Sequence, residues 1–143
     1  MSTPPPGGSS AARPRFHFPK SARVRRRAEY LRVQGTNTRV TTAHVVLLLA
    51  LRPDGFHTGT RLGLVASRKV GGAVQRNRGK RLVRELFRTR PELFPVGGPV
   101  DCVVILRAGV DSLSLAALAA QLESVSRHVA RRTLELSRRA AHR

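Results

Sequence analysis

Ser67 precedes two cations, Arg68 and Lys69, which would depress the pKa of a nucleophilic hydroxyl, but no His or Asp is spaced to take its proton. The five histidines, His17, His44, His57, His128 and His142, show no metal-ligand spacing. His44 lies in an apolar run and reads as a residue on a strand face rather than a general base. Eight acids are scattered, with no pair placed for two-carboxylate hydrolysis. These residues form no constellation that breaks a bond by itself. Phosphate binding is the chemistry they do offer. Between Arg61 and Arg90 there are ten Lys/Arg and one acid, Glu85. A solvated helix face ordinarily mixes signs, and this one hardly does. Asn77, between Arg76 and Arg78, can both donate and accept, which suits a base edge or a 2′-hydroxyl. Gly71-Gly72-Ala73 leads into the start of a helix, where free N–H groups attract anions. The G-x-x-x-x-G-K-[ST] pattern of a nucleotide-binding loop is missing.

The whole chain repeats this bias. Its 143 residues carry a formal net charge of +19 and an isoelectric point near 12.0. Such an imbalance opposes compaction by self-repulsion and makes sense if a polyanion normally neutralises it. Of the 27 basic residues, 24 are Arg, whose planar fork pairs with phosphate and stacks on bases; GC-rich coding accounts for much of that ratio, but not for the total charge. One cysteine, Cys102, excludes an internal disulfide and any Cys-cluster zinc site, and its apolar setting reads as burial. No apolar stretch reaches the roughly 18 residues of a membrane span, and no signal-peptide core opens the chain. A cytoplasmic protein that engages no membrane is the expectation.

The elements that must position these groups follow from local pattern. Residues 1–15 are rich in Pro, Gly and Ser and read as a disordered tail. One domain is expected over 16–135, with a basic C-terminal tail over 136–143 that frays near Arg138. Phe16 and Phe18 would clip an extended leading segment onto the core. About Arg25 to Gln34 reads as a short helix closed by Gly35. Val40 to Arg52 is apolar and β-branched enough for one strand. Pro53-Asp54-Gly55 is a turn, and Arg61 to Val70 is the next strand, expected to form a hairpin with the previous one. A helix from about Ala73 to Thr89 places Leu82, Val83, Leu86, Phe87 and Gly79 on one side, with cations over the rest. Gly79 costs about 1 kcal/mol relative to Ala inside a helix, so close packing against the sheet is its expected justification. Pro91, Pro95 and Gly97-Gly98-Pro99 read as a linker. Asp101 to Arg107 has the near-continuous apolar run of a central strand, and a last helix starts after Ser114. The order is α-β-β-α-β-α, an α+β sandwich of one sheet with helices packed on it.

At these residues the chain resembles the protein subunit of bacterial ribonuclease P. The resemblance rests on Ser67-Arg68-Lys69-Val70-Gly71, Ala73-Val74, Arg76-Asn77-Arg78-Gly79-Lys80-Arg81 and Arg84-Glu85-Leu86-Phe87-Arg88. Pro19-Lys20 with Arg23 to Tyr30, Arg61-Leu62-Gly63 and the 101–107 strand support it. It implies a mixed sheet with a left-handed βαβ crossover, against the usual right-handed preference. It also implies a subunit that assists a ribozyme in removing the 5′ leader of precursor tRNA. The catalytic RNA would do the chemistry with Mg²⁺ bound mainly by that RNA, and no protein partner would be required. Carried over by position, Arg68, Lys69, Arg76, Asn77, Arg78, Lys80, Arg81, Arg84 and Arg88 would bind the catalytic RNA. Tyr30, with Arg23, Arg25, Arg26, Arg27, Val46 and Leu48, would meet the leader, Tyr30 serving as a stacking platform. Tyr30 as a core residue whose hydroxyl reaches solvent is the other reading. A ribosomal or nucleoid-type protein binding by charge alone is the competing function, and a protein-only nuclease is a third.

Overall fold

Val40 to Arg52, read as one strand, is two. The computed structural model describes residues 23–24, 26–52, 59–95 and 99–141. Strand β1 spans Arg39–Thr41 and β2 spans Val45–Leu51, paired antiparallel from Arg39↔Leu48 to Thr41↔Val46. Thr42 makes the turn. Its N–H donates to the Val45 carbonyl (2.8 Å), and its Oγ1 accepts the Val45 N–H (3.1 Å). A threonine that bonds local backbone competes with the strand ladder, which an apolar pattern does not reveal.

The expected hairpin between the second and third strands does not form. Strand β3, Arg61–Ala66, pairs instead in parallel with β4, Val100–Leu106, in the register Arg61↔Asp101 to Ala66↔Leu106. β4 pairs antiparallel with β2 on its other side, so the sheet order is β1-β2-β4-β3. The physical reason is burial on both faces: β4 is the most continuously buried strand, and the centre of the sheet is where a strand is covered twice. The Pro53-Asp54-Gly55 turn, Phe16, Phe18 and the Pro/Gly/Ser tail lie outside the described residues.

Four helices accompany the sheet: α1 Arg27–Gln34, α2 Ala73–Thr89, α3 Leu115–Ser124 and α4 Ser126–Ala141. On one face Leu47, Leu49, Cys102, Val104 and Leu106 pack with Val83 and Leu86 of α2, Leu118 and Leu122 of α3, and Val129 of α4. Burial and the neighbouring Asp101 push the Cys102 thiol pKa up, so it remains a neutral, inert hydrophobe. On the other face Val33 of α1 packs with Leu48, Ala50 and Val103, and Tyr30, Val46, Val65 and Ile105 are only partly covered. One eight-residue helix cannot roof four strands, so this face stays half open.

Gly79 is where α2 comes closest to the core. A Cβ there would stand 2.6 Å from Leu106 Cδ2 and 3.0 Å from Val110 Cγ1, so its lack of a side chain lets the helix seat on the end of β4. The segment read as a linker is packed: Pro91–Leu93 is a 3-10 turn, Leu93 and Phe94 are buried, and Phe94 meets Phe87 edge-on with ring centroids 5.1 Å apart. The last helix breaks at Val125 into α3 and α4. α4 then continues as helix to Ala141, past the point where fraying is expected.

Candidate nucleic-acid interface

The cationic helix begins at a turn only glycine makes comfortably. After β3 the chain bends through Ser67 to Val70, with the Val70 N–H donating to Ser67 O (3.0 Å) and the Gly71 N–H to Arg68 O (3.1 Å). Gly71 has φ +143°, and a Cβ there would sit 2.9 Å from Gln75 Cβ. Gly72 is the N-cap and brings no capping side chain, and no acid lies in the first turn of α2. The helix start is therefore electropositive by backbone and side chain together. Val74, 78 % exposed, lies in this first turn, and the exposed Arg68 and Lys69 flank it on the preceding bend.

Along α2 the cations divide between two flanks. Lys80 and Arg84 face the free edge of β3. There, with Arg23, Val24, Tyr30, Leu62 and Leu64, they line a cleft of about 440 Å³. Arg78 and Arg81 face α3 and line a second cleft of about 350 Å³ with Leu82, Glu85 and Leu115. Asn77 is exposed between the flanks. Arg76 donates to Gly71 O (3.2 Å) and Arg78 to Asp111 O (2.8 Å); both acceptors are neutral, so each guanidinium is held in place with its charge undiminished. Arg88 differs. Its Nε donates to Glu85 Oε1 at 3.2 Å in an ion pair on its own helix, which offsets its charge and sets it apart from the open cationic surface.

Tyr30 sits between the two structural roles the sequence allows. Its ring rests against Gly63, where a Cβ would come within 2.9 Å of Tyr30 Cε1 and 3.0 Å of Val24 Cβ. Its hydroxyl accepts the Leu64 N–H at 3.3 Å, on the sheet edge that β4 does not cover. Val24 covers the next stretch of the same edge, its N–H donating to Leu62 O (2.9 Å). The ring is thus anchored at its tip, yet still lines the cleft shared with Lys80 and Arg84.

A buried carboxylate holds the helix that carries Tyr30. Asp101, 0 % exposed, accepts from Arg32 of α1 (2.5 Å), from Arg52 at the end of β2 (3.0 Å), and from Arg61 of β3 through Nε (2.8 Å) and Nη2 (2.7 Å). Arg61 also reaches Glu29 of α1 at 3.1 Å, and Glu29 accepts the Arg26 N–H (3.1 Å) at the helix start. Donation to the Asp101 carboxylate raises the Arg61 pKa further above its already high value, and so keeps the guanidinium charged.

Leu48 is a correction to the sequence reading. At 1 % exposure it lies beneath Val33 in the core, because its register with Val103 turns it under α1, where no nucleotide reaches. Val46, two residues earlier, is half-buried beside Val65 and Ile105, on the part of the face that α1 leaves uncovered. Arg26 and Arg27 are exposed at the start of α1, Arg23 lies in the cleft, and Arg25 is outside the described residues. Sequence reasoning missed Gly63 as the seat of Tyr30, and Leu62 and Leu64 as cleft walls. It also missed the Asp101 cluster, although an acid opening an apolar strand in so basic a chain was a usable signal.

Among the described residues no three His, Cys, Asp or Glu side chains come together as a metal cage, and Asp101 is enclosed by arginines. No helix among the described residues is long and apolar enough to cross a membrane.

Residues 18–130 match the family Ribonuclease P. The chain is 38 % identical over 118 residues to the ribonuclease P protein component of Desulfovibrio desulfuricans, covering 82 % of this chain and 89 % of that one. It is 36 % identical over 106 residues to that of Geobacter sp. strain M21, covering 74 % and 86 %. Among solved structures, the Staphylococcus aureus RNase P protein superposes with a TM-score of 0.65 at 25 % identity, over 78 % of this chain and 97 % of that chain. The Thermotoga maritima RNase P protein gives 0.62 at 28 %, over 75 % and 96 %. Fold and sequence therefore converge: this chain belongs to the ribonuclease P protein family, the protein components of the endoribonuclease that matures tRNA at its 5′ end.

Proposed function

We propose that α2 and the bend before it seat on the catalytic RNA, while the Tyr30 cleft takes single-stranded leader nucleotides of precursor tRNA. The observation that carries this reading is the junction at the β3 edge. There an aromatic ring, apolar walls and the cations Arg23, Lys80 and Arg84 line one cleft on the flank of the cationic helix. A ring and adjacent cations are what an unstacked nucleotide needs: stacking is worth about 1–3 kcal/mol per base, and the cations answer its phosphates. Arg68, Lys69, Arg76, Asn77, Arg78 and Arg81 would hold the RNA, with Arg88 secondary because Glu85 already pairs it. Val46 would extend the leader path over the open sheet face.

The isolated chain does not cut in this reading. Its contribution is electrostatic: two polyanions must meet, and a cationic wedge between them lowers the cost of that approach. Mg²⁺ belongs with the RNA phosphates, and the assembly works in the cytoplasm. Charge-only binding is disfavoured, since charge alone requires neither Gly71 at its positive φ nor the Tyr30–Leu64 anchor.

The test is cleavage of 5′-labelled precursor tRNA at low Mg²⁺ by catalytic RNA alone, protein alone and both together. A single cut at the mature 5′ end in the mixture only is the expected result. Cutting by protein alone would make the chain a nuclease. No stimulation of the RNA would remove the positioning role.

A further inference from the structure

The outward face of α4 carries a second cationic stripe that no function assigned above uses. At 100° per residue Arg127, Arg131, Leu134 and Arg138 fall within one narrow arc of the helix. All four are exposed. At 1.5 Å rise per residue the three guanidiniums cover about 16 Å of helix. No acid lies on the arc. The single acid of α4, Glu135, is paired with Arg132 (3.2 Å), whose other nitrogen donates to Asn37 O (3.2 Å) and ties α4 to the approach to β1.

Such a stripe is costly in isolation. Like charges four residues apart, as Arg127 and Arg131 are, each destabilise a helix by a few tenths of a kcal/mol. The first turn of α4 holds Arg127 and His128 with no acid, opposing the helix dipole. Helix α2 has the same acid-free first turn, and there the cations form the face assigned to RNA. The two stripes are carried by different helices. Arg78 and Arg81 of α2 face α3, which packs in turn on α4, and α4 reaches on to β2 and the approach to β1.

We propose that Arg127, Arg131 and Arg138 bind the phosphate backbone of a second, double-stranded segment of the same RNA that α2 holds. The protein would then bridge two RNA elements rather than dock on one. This rests on the α2 reading above. Duplex backbone fits because the stripe runs along one face of a single helix and has no aromatic ring among its side chains. It can offer regularly spaced charge, with nothing to stack on an unpaired base.

The experiment compares wild type, a triple Arg127→Gln/Arg131→Gln/Arg138→Gln variant, the corresponding triple Lys variant, and an Arg81→Gln/Arg84→Gln variant of α2. Each is titrated with full-length catalytic RNA across a salt series, with backbone footprinting and circular dichroism to confirm the fold. The glutamine triple is expected to lose about tenfold or more in affinity at 0.15 M salt, and to flatten the log K against log [salt] slope by about 2–3. It should also lose protection of a duplex separate from the one lost in the α2 variant. The lysine triple should keep the slope. Unchanged affinity and slope in the glutamine triple, with weakening in the α2 variant, overturns the bridging role and leaves the α2 reading intact. No effect from either glutamine variant defeats the α2 reading itself. A glutamine triple that loses binding to phosphatidylserine vesicles but not to RNA assigns the stripe to a membrane surface and overturns the proposal.

Discussion

Tyr30 is useful as a platform only if its ring is held still, and Gly63 holds it. The ring occupies the space a Cβ at position 63 would need, and the Leu64 N–H fixes the hydroxyl. A methyl at Gly63 must push back either Tyr30 or Val24, both of which line the cleft. Gly63→Ala is therefore expected to weaken binding of precursor tRNA that carries a leader by about tenfold, near the lower end of one stacking interaction of about 1–3 kcal/mol. Mature tRNA should bind unchanged. Competition binding with the two RNAs in the reconstituted holoenzyme reads the difference. Equal loss for both would mean that the ring serves the core and not the leader.

At the scale of elements, α1 is the shortest of the four helices described and the most consequential. It has eight residues and packs on the open face of the sheet. Asp101 anchors it by binding Arg32 of α1, along with Arg52 and Arg61 of the strands. Removing one partner of a buried charge cluster leaves the others uncompensated and costs about 3–5 kcal/mol. Asp101→Asn should therefore lower the urea midpoint by that equivalent. In the variants that still fold, it should loosen α1 and the Tyr30 cleft before the sheet, which amide exchange would resolve. Exchange at α1 as slow as in wild type would place the anchor in Val33 packing instead. Asp101 itself stands out in the sequence as an acid opening an apolar strand, but its partner Arg32 was illegible, because ion pairing across 69 residues has no local signature. The reverse holds for α2: its periodicity placed Gly79, Val83 and Leu86 on the buried side, as found. The central position of β4 was legible from the apolar run Cys102 to Leu106. Strand partners were not, since alternation says which face a residue takes and nothing about which neighbour it pairs with. The cationic half of the site was legible for the same reason as α2, because charge periodicity is local. The aromatic half depended on Gly63 and Leu64, which meet Tyr30 only through the tertiary fold.

For the whole molecule, the governing quantity is the net charge of +19 on 143 residues. Among the described residues, the acids that offset it are mostly spent locally: Asp101 inside the sheet, Glu85 on α2, Glu135 on α4, and Glu92 and Glu123 on Arg90. The α2 and α4 faces are left to repel within a molecule small enough for surface charges to interact over the Debye length of about 8–10 Å at physiological salt. Repulsion of this kind destabilises the compact state, and anything that screens or binds the charge restores it. The free protein should therefore unfold at a higher temperature as salt rises from about 10 mM to 200 mM. Each 1 kcal/mol recovered should raise Tm by roughly 3–6 °C. On the proposed α2 reading, catalytic RNA at low salt should give a larger rise than salt alone, since it would bind the folded arrangement of cations more tightly than the unfolded chain. Differential scanning calorimetry across the salt series decides the matter. A Tm that is flat with salt would mean the cationic faces are far enough apart not to feel one another. The RNA-dependent rise should then persist without the salt-dependent one, separating binding from relief of self-repulsion.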